Sequence, residues 1–313
     1  VPNNGLDDDN NGLVDDVYGF DFHNWDGDPS DDNGHGTHVA GTIAAVANNA
    51  LGVAGVAPGV KIMPIKVSNA NGALYAHNAV HGLVYAFLHG SDISNHSYGG
   101  YFYDPNLDYV IQVADLFGHL VVAAAGNDGS NNDVLPVFPA SYGCTGATPT
   151  VCTSVGNVIS VAAVDPSGSL AGFSNYGPSS VDVAAPGVGI LSTTLGGGYG
   201  TKDGTSMAAP HVAGVAALIK SVAPTASPST IRQLLIDSAQ PNAGLAGLTV
   251  SGGTVDAFEA IRSLDPDPPM LVSSTPADGG VGVAVDTDIV LVFDEPVVVA
   301  SGPYISIHRS DGA

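Results

Sequence analysis

Apolar segments alternate with segments of helical periodicity along the first part of the chain. Apolar runs typical of buried strands occupy Val60–Val67, His119–Asn127 and Asn157–Asp165. Val17–Phe22 is a short predicted strand, and Asp92–Gly100 is predicted to be a strand edge that ends in a glycine turn. The spacing of apolar residues predicts helices over 36–48, around Ala79, Leu83, Ala86 and Phe87, over 105–117, and over Gly204–Val222. Strands that alternate with helices in this way predict an α/β fold, with a mostly parallel sheet that helices cover on both faces.

The pattern changes at "DPDPPM" (Asp265–Met270), which predicts a linker after a first domain of residues 1–264. Beyond the linker, polar and apolar residues alternate over Val281–Phe293, as they do in strands with one buried face. The stretch "STPADGGVGVAVDTDIVLVFDEPV" resembles the bacterial Ig-like domains that are appended to secreted or cell-surface proteins. We expect residues 271–313 to be the start of an all-β sandwich, since a complete one takes about 100 residues.

The composition indicates a globular protein with a strongly acidic, well-solvated surface of the kind seen in secreted proteins. Of the 313 residues, 44% are apolar, 30 are Asp or Glu and 7 are Lys or Arg, so the net charge is -23. A surface this negative argues against binding to nucleic acids or to anionic membranes. No apolar run reaches the roughly 18 residues that a membrane-spanning helix needs, so no membrane span is predicted.

The two cysteines, Cys144 and Cys152, lie in "GCTGATPTVCTS", a stretch rich in Gly, Thr and Pro that predicts a surface loop. A disulfide that closes this loop is our expectation, because disulfides are common in secreted proteins. Two free thiols are the alternative. The spacing matches no zinc-binding or redox CxxC pattern.

Three polar residues stand where predicted elements begin or end. Ser206, in "DGTSMAAPH", lies near the N-terminus of a helix, where free N–H groups and the helix dipole favour developing negative charge. Asn127 follows an apolar strand in "AAAGN", and His35 opens a helix in "NGHGTH". A nucleophile, an amide that binds an oxyanion and a general base are one interpretation of these residues. A helix-capping serine, a turn asparagine and a structural histidine are the alternative.

Together, "HGTHVAGT", "AAAGN" and "GTSMAAPHVAG", in that order on an alternating α/β chain, resemble the subtilisin-like serine proteases, or subtilases, over residues 1–264. The resemblance implies that Ser206 is the nucleophile and that His35, the first histidine of its motif, is the general base. His38, one helical turn later, is then structural. The resemblance also makes Asn127 the side-chain donor to the oxyanion, with the backbone N–H of Ser206 as the second donor.

The resemblance further implies where a peptide substrate binds. "SYGG" is similar to the strand edge on which subtilases hold a substrate, so Ser97 and Gly99 are expected to pair with an extended peptide main chain. "AAAG", which includes Ala125 and Gly126, is expected to form the opposite wall of the pocket for the residue before the scissile bond. The small, neutral residues of both segments favour an uncharged substrate side chain there.

One member of the subtilase triad is missing from this sequence. The family carries an aspartate in a strand motif similar to V-I-D-T-G before the histidine motif, and nothing before His35 fits it. Asp165, Asp182 and Asp203 follow the histidine, where the family has other elements. We expect the chain to be a fragment whose sheet lacks its N-terminal strand or strands and whose triad aspartate lies upstream. Without that carboxylate, activity is expected to fall by about four to five orders of magnitude.

The acidic opening "DDDNNGLVDD" has the first half of the spacing of a calcium loop, D-x-[DN]-x-[DN]-G. Its candidate ligands are Asp7, Asp9, Asn11 and Asp15. The bidentate glutamate of a complete EF-hand is absent, because Tyr18 stands at the twelfth position. Similar loops in subtilases imply a structural Ca2+ ion, and a solvated acidic turn is the alternative. No organic cofactor is expected.

These features favour a secreted serine endopeptidase, free or attached to the cell surface, that hydrolyses peptide bonds in protein substrates. The resemblance implies a cleavable inhibitory pro-segment upstream. A catalytically silent subtilase-like module for binding or surface adhesion is the alternative. The presence of Ser206, His35 and Asn127 argues against that alternative, whereas the missing aspartate favours it only if the chain is complete.

Overall fold

Twelve strands and six helices make up the part of the chain that this computed structural model describes, residues 4–143, 156–264, 270–276 and 288–293. In chain order the strands are β1 (Phe20–Asp21), β2 (Ile65–Lys66), β3 (Ile93–His96), β4 (Leu120–Ala124), β5 (Val158–Val164), β6 (Val183–Pro186), β7 (Ile190–Thr194), β8 (Gly198–Lys202), β9 (Gln240–Pro241), β10 (Gly253–Thr254), β11 (Leu271–Thr275) and β12 (Val290–Phe293). The helices are α1 (His35–Ala44), α2 (Ala76–Leu88), α3 (Pro105–Leu116), α4 (Thr205–Val222), α5 (Pro228–Asp237) and α6 (Ala257–Arg262). The chain divides into two units, residues 1–264 and 265–313.

A six-stranded sheet with the order β3-β4-β5-β6-β10-β9 forms the centre of the larger unit. Its strands run parallel except β9, which is antiparallel to β10. β4 and β5 are buried along their whole length, which explains why their sequences are continuous apolar runs rather than alternating ones. Two shorter pairs accompany this sheet, the parallel pair β1-β2 and the antiparallel hairpin β7-β8.

Helices cover both faces of the six-stranded sheet, so the predicted α/β fold is confirmed. On one face α4 packs along β3 to β6, and residues such as Val161 and Val212 form the core there. On the other face α2 and α3 pack over β4 and β5 through residues such as Ile111 and Val121. Successive side chains of a strand point to opposite faces, so Val121 and its neighbour Val122 belong to different cores.

Two predicted strands are shorter than the apolar runs that indicated them. The run Val60–Val67 forms a strand only at β2, because Pro64 has no N–H to donate to a neighbouring strand. In the run Val17–Phe22, β1 begins at Phe20 because Gly19 before it adopts φ 118°, outside the strand region. The apolar pattern also did not indicate the strands β6 to β10 or the helices α5 and α6.

The hairpin of β7 and β8 holds the first turns of α1. Ser192 Oγ donates to the carbonyl oxygen of His38 at 2.7 Å, and Thr193 Oγ1 donates to that of Thr37 at 2.8 Å. From the second strand of the hairpin, the carbonyl oxygen of Gly200 lies 3.0 Å from His38 Nε2. Because β8 leads almost directly into α4, the hairpin fixes the helix that begins at the predicted base relative to the helix that carries the predicted nucleophile.

In the smaller unit, β11 and β12 form an antiparallel pair with an irregular register between Leu271 and Ser273. β12 coincides with the end of the alternating segment Val281–Phe293, where strand structure was predicted. Cys144 and Cys152 lie outside the described residues, so the expected disulfide stays a prediction. None of the helices in the described ranges combines the length and the hydrophobicity that crossing a bilayer requires.

Candidate active site

The predicted nucleophile, Ser206, is the second residue of α4 and lies beside the chain that continues from β3. Ser206 Oγ donates a hydrogen bond to the carbonyl oxygen of Ser97 at 3.1 Å. In return, Ser97 Oγ donates to the carbonyl oxygen of Ser206 at 2.8 Å. Gly204, the N-cap, adopts φ 147°, a backbone conformation that residues with a Cβ rarely adopt. The glycine therefore allows the sharp turn that brings Ser206 into the first turn of the helix.

Pro210 explains why the carbonyl group of Ser206 is available to Ser97. It is the sixth residue of α4 and lies beyond the first turn, in which helix N–H groups lack partners in any case. A residue with an N–H at this position would donate to the carbonyl of Ser206, four residues earlier. Proline has no N–H, and Ser97 Oγ donates to that carbonyl instead. The proline thus contributes to the link between the nucleophile and the predicted substrate edge.

The side-chain amide of Asn127 is held in one orientation by Thr205. Asn127 Oδ1 accepts hydrogen bonds from the backbone N–H of Thr205 at 2.8 Å and from Thr205 Oγ1 at 2.9 Å. Thr205 Oγ1 itself accepts from the N–H of Gly126 at 3.2 Å, so its single proton serves Asn127. Because both bonds engage the amide oxygen, Nδ2 of Asn127 is left to donate elsewhere.

Asn127 Nδ2 and the backbone N–H of Ser206 face a common space. A Cβ atom built on Gly204 would lie 3.6 Å from Ser206 N and 3.8 Å from both Nδ2 and Oδ1 of Asn127, and glycine leaves that space open. Of the two amide atoms, only Nδ2 can donate into it. Two N–H donors that converge beside a helix N-terminus suit the oxyanion that forms when a carbonyl group is attacked. The structure therefore brings the two predicted oxyanion donors together next to the predicted nucleophile.

His35 opens α1 and is half-buried. Burial lowers the pKa of its imidazole and the charge of Lys202 lowers it further, whereas the charge of Asp31 opposes this shift. The imidazole is therefore neutral at pH 7 and able to accept a proton. Within the described ranges no hydrogen bond joins this ring to Ser206, whose hydroxyl donates to Ser97 instead.

The carboxylate of a triad is not provided by the aspartates of the described ranges. Asp31 accepts hydrogen bonds from the backbone N–H and the hydroxyl of Thr37, both at 2.7 Å, and so caps the start of α1. Partial burial raises the pKa of Asp31, but the hydrogen bonds from Thr37 and from neighbouring N–H groups outweigh burial and lower the pKa to about 2. Asp165 and Asp203 accept backbone N–H groups of nearby turns, and the buried Asp182 pairs with an arginine.

His38 occupies a structural position. It is fully buried, and its Nε2 lies 3.0 Å from the carbonyl oxygen of Gly200 on β8. Since a carbonyl oxygen only accepts, Nε2 carries a proton and donates it to this carbonyl. Nδ1 of His38 has no hydrogen-bond partner among the described residues. Of the two histidines in the motif, only His35 therefore has an imidazole that is open to a substrate.

The predicted substrate edge follows β3. Gly100 exchanges two backbone hydrogen bonds with Phe138, at 3.0 and 2.8 Å. Because successive residues of an extended chain present their N–H and C=O groups to opposite sides, those of Gly99 face away from Phe138 and are open to a peptide. A Cβ on Gly99 would lie 2.8 Å from a neighbouring valine side chain, so glycine is needed there. A peptide that pairs with the carbonyl of Ser97 would displace the Ser206 hydroxyl from it.

A cleft of about 190 Å3 opens beside Ser206. Its lining consists of Tyr98, Gly99, Gly100, Tyr101, Ala124, Gly126, Asn127, Asp128, Val137, Thr205 and Ser206. Gly126 lies in this wall as predicted, but Ala125 does not, because it is fully buried and packs in a core cluster on the other side. Side chains alternate along an extended segment, so the neighbours of Ala125 face the cleft. The lining also contains a carboxylate, since Tyr101 donates its hydroxyl to Asp128.

Three of the four predicted calcium ligands, Asp7, Asp9 and Asn11, share one turn, whereas Asp15 is engaged with an earlier part of the segment. Asp15 accepts the backbone N–H groups of residues 4 and 5, and Asp7 accepts those of residues 11 and 12. Asp9 accepts the N–H of Asn11 as well, and it also lies beside Asp16 and His89, two residues that the calcium spacing did not indicate. The loop therefore uses Asp7 and Asp15 to hold its own backbone, and it directs Asp9 towards the end of α2.

Three residues that support the site were not anticipated from the sequence. Asn175 Oδ1 accepts from the N–H of Asp128, and its Nδ2 donates to Asn132 Oδ1. Asn132 in turn donates to the carbonyl oxygen of Ala125, so this buried pair fixes the wall of the cleft. No sequence pattern connects the two asparagines, which come from separate turns. The third residue, Thr205, was identifiable in principle, because it directly precedes the nucleophile in its motif.

Comparison with known proteins finds two family models that match the chain. The model described as "Subtilase family" matches residues 3–256, and that described as "Bacterial Ig-like domain" matches residues 265–313. The chain is 40% identical over 245 residues to the thermophilic serine proteinase of Bacillus sp. (strain AK1), covering 78% of this chain but 56% of that protein. It is 39% identical over 246 residues to thermitase of Thermoactinomyces vulgaris, covering 79% of this chain and 81% of thermitase. The chain thus spans little more than half the length of the first of these relatives.

Two solved structures resemble the chain in both fold and sequence. A protease from Pseudoalteromonas arctica PAMC 21717 has a TM-score of 0.67 and 34% identity, covering 78% of this chain and 83% of its own. A cold adapted subtilisin-like serine proteinase has a TM-score of 0.63 and 34% identity, covering 76% of this chain and 78% of its own. The likeness therefore extends over about the same part of the chain in structure as in sequence.

Proposed function

The chain belongs to the subtilase family of serine proteases, and we propose on this basis that it is part of a secreted serine endopeptidase that cleaves peptide bonds in proteins. One observation carries the proposal. The backbone N of Ser206 and the amide group of Asn127 both lie beside the open space at Gly204, and Thr205 donates two hydrogen bonds to the amide oxygen of Asn127, which leaves Nδ2 as the group that can donate there. A capping serine would not require an amide oriented in this way, whereas stabilisation of an oxyanion does.

In the proposed reaction, Ser206 Oγ attacks the carbonyl carbon of the scissile bond and His35 takes the proton from Oγ. The carbonyl oxygen becomes negative and accepts hydrogen bonds from Ser206 N–H and Asn127 Nδ2. His35 then gives its proton to the leaving amine. Water hydrolyses the acyl-enzyme with His35 as the base again. The first step requires the Ser206 hydroxyl to leave the carbonyl of Ser97, which pairing with a peptide would bring about.

We further propose that a segment outside residues 1–313 supplies the carboxylate that orients His35. Two observations support this. No aspartate in the described ranges makes a hydrogen bond or ion pair with His35, and β3 is an edge strand of the six-stranded sheet, so a further parallel strand has a place to add. Without the carboxylate the chain is expected to react about four orders of magnitude more slowly than with it.

The proposed substrates are proteins and peptides that bind in extended form along Gly99. The glycine, alanine and valine lining of the cleft supports an uncharged side chain before the scissile bond, with the hydroxyl and carboxylate of the Tyr101–Asp128 pair as its polar groups. Secretion, attachment to the cell surface and an inhibitory pro-segment are proposed from the family. The acidic composition and the Ig-like domain support an extracellular location.

Calcium is proposed for the acidic opening segment, on the strength of its ligand spacing. The fit of the four predicted ligands is partial, because Asp15 is engaged with residues 4 and 5 while Asp7, Asp9 and Asn11 share one turn. Thermal unfolding in CaCl2 and in EDTA, for the wild-type chain and for Asp7→Asn, tests this proposal. A calcium-dependent rise in the unfolding temperature that Asp7→Asn abolishes supports it.

The experiment that tests the proposed function is labelling of the folded chain with a fluorophosphonate probe, which reacts with an activated serine. The matched control is Ser206→Ala. We expect labelling of the wild-type chain at Ser206 and none of the control. Asn127→Ala should label more slowly by about 10²-fold or more, because one oxyanion donor is lost.

A folded chain that shows a native circular dichroism spectrum and cooperative unfolding, yet no labelling, would overturn the proposal that residues 1–313 keep an activated Ser206. That result would favour the silent binding module if a chain extended to include the proposed carboxylate also stays unlabelled. Labelling that persists unchanged in Asn127→Ala would overturn the assignment of Asn127 as an oxyanion donor while leaving Ser206 as the nucleophile.

A further inference from the structure

Two carboxylates and one imidazole converge where the acidic opening segment meets the end of α2. We infer that Asp9, Asp16 and His89 form a binding site for a divalent transition-metal ion, with Zn2+ as the best match. One carboxylate oxygen from each aspartate and one ring nitrogen of His89 all lie within 4.8 Å of one another. His89 is distant from both aspartates in sequence, so the fold rather than the local chain creates this group.

The backbone determines which nitrogen of His89 faces the aspartates. His89 Nδ1 lies 2.8 Å from the carbonyl oxygen of Tyr85, and a carbonyl oxygen only accepts, so Nδ1 carries the proton. Nε2 faces the two carboxylates, and because the amide donor Asn11 Nδ2 lies 2.9 Å from it, Nε2 offers a lone pair on that side. Histidines that bind metals commonly have this arrangement, in which one nitrogen donates to a backbone carbonyl and the other binds the metal.

The amide nitrogen of Asn11 occupies the point on which the three groups converge. Asn11 Nδ2 lies 3.1 Å from Asp9 Oδ2, 2.7 Å from Asp16 Oδ2 and 2.9 Å from His89 Nε2. An NH2 group has two hydrogens for these three acceptors, so it leaves one acceptor without a hydrogen bond. In addition, the negative charges of the two carboxylates face each other. A cation at this point would satisfy all three acceptors and neutralise both carboxylates.

Tyr85 holds two of the three ligands in place and is itself almost fully buried. Its hydroxyl donates to Asp16 Oδ2 at 2.9 Å, and its ring lies against that of His89 with the centroids 4.1 Å apart. Burial and the hydrogen bond to Asp16 raise the pKa of the Tyr85 hydroxyl, which therefore stays a donor. Support of this kind fixes the orientation of ligands before a metal binds.

The donor set favours zinc over calcium. Ca2+ and Mg2+ take oxygen ligands, whereas an imidazole nitrogen beside carboxylate oxygens suits Zn2+, whose tetrahedral set a water molecule would complete. Asp7 and Asp15, which belong to the calcium spacing, are not members of this group. The two proposals share Asp9 but differ in His89, so a variant at His89 separates them.

The test is a calorimetric titration of ZnCl2 into the whole chain after EDTA treatment and dialysis, with CaCl2 titrated in parallel. We expect one Zn2+ per chain and a higher unfolding temperature with the metal. His89→Ala should weaken zinc binding by about tenfold or more. Asp9→Asn should weaken it as well, and because Asp9 is exposed this variant leaves the core unchanged. His81→Ala, an exposed histidine two turns earlier on α2 and outside the group, is the matched control.

Three results would overturn the inference. The first is the absence of zinc binding, with or without binding of calcium. The second is zinc binding by His89→Ala that is as tight as in the wild-type chain. The third is loss of zinc binding in His81→Ala, since His77 and His81 are four residues apart on one face of α2 and would then be the chelating pair.

Discussion

Lowering the pH from 7 to 5 should destabilise the folded chain, and His96 on β3 should account for about 2 kcal/mol of the loss. His96 is almost fully buried and belongs to a series of hydrogen bonds along one side of β3. His119 Nδ1 lies 2.6 Å from the carbonyl oxygen of Ser91, and its Nε2 lies 2.8 Å from Ser94 Oγ. Ser94 Oγ also lies 2.8 Å from His96 Nε2, and His96 Nδ1 lies 2.6 Å from the hydroxyl of Tyr98.

The carbonyl at one end of this series determines where every proton lies. The backbone carbonyl of Ser91 can only accept, so His119 donates to it from Nδ1. Nε2 of the neutral His119 ring then accepts from the Ser94 hydroxyl. The Ser94 oxygen then accepts from His96 Nε2, and His96 Nδ1 accepts from the hydroxyl of Tyr98. With both imidazoles neutral, each group in the series makes both of its hydrogen bonds. A second proton on His96 would face the Tyr98 hydroxyl, which would have to reverse.

Burial lowers the pKa of His96 to about 3, and the charge of His119 contributes in the same direction. In the unfolded chain a histidine has a pKa of about 6.5, so between these values the unfolded chain binds more protons than the folded one. The free energy of unfolding is therefore fully retained above about pH 6.5 and falls as the pH drops towards 3. One such group loses about 1.4 kcal/mol per pH unit in this window, which gives about 2 kcal/mol between pH 7 and 5.

The assay is urea-induced unfolding followed by circular dichroism at pH 7 and pH 5, in EDTA so that bound metal makes no contribution. The wild-type chain is compared with His96→Gln, which does not titrate, and with His77→Gln, which removes an exposed histidine. We expect the loss between pH 7 and 5 to be about 2 kcal/mol smaller in His96→Gln than in the other two proteins. An equal loss in all three proteins would refute the reasoning, because it would mean that His96 is not held neutral by the fold.

Three further predictions concern substitutions in the active site and at a buried ion pair. Thr205→Val should slow fluorophosphonate labelling by less than about 10²-fold, and so by less than Asn127→Ala does, because the backbone N–H of Thr205 still donates to the amide oxygen of Asn127. An equally large decrease in labelling rate in the two variants would contradict this. Gly126→Ala should lower the free energy of unfolding in urea by about 1–3 kcal/mol and slow labelling, since its Cβ would lie 2.5 Å from the side-chain amide of Asn175 at a backbone φ of 116°. An unchanged free energy of unfolding would show that the wall of the cleft moves to accommodate the methyl group. Asp182→Asn should lower the free energy of unfolding by about 3–5 kcal/mol in the same assay, because it leaves the partly buried Arg232 without its charged partner. A loss below about 1 kcal/mol would show that solvent reaches the arginine.

The sequence predicted the elements and the chemistry whose signals are local. Ser206 and His35 stand at helix starts because glycine and small polar residues precede an apolar periodicity, and that pattern is visible in a single stretch of sequence. Ala125 was assigned to the pocket wall because the motif shows adjacency but not which side of an extended segment faces the cleft. His89 was not connected with the acidic opening segment, since only the fold brings the end of α2 to it, and Asp16 belongs to that segment but lies outside the calcium spacing.

The same distinction applies within the active site. Ser97, Thr205 and Pro210 fix the nucleophile and the oxyanion donors through contacts that lie wholly inside the described chain. The backbone of His35 is placed by α1, but among the described residues no hydrogen bond fixes the orientation of its imidazole ring. Pairing with the substrate and stabilisation of the oxyanion require no proton transfer. In serine proteases these two contributions alone accelerate the reaction about 10³–10⁴-fold over the uncatalysed rate in water. We therefore expect the affinity of the chain for peptides to be independent of the carboxylate that we propose for a segment outside residues 1–313, and its turnover to depend on it.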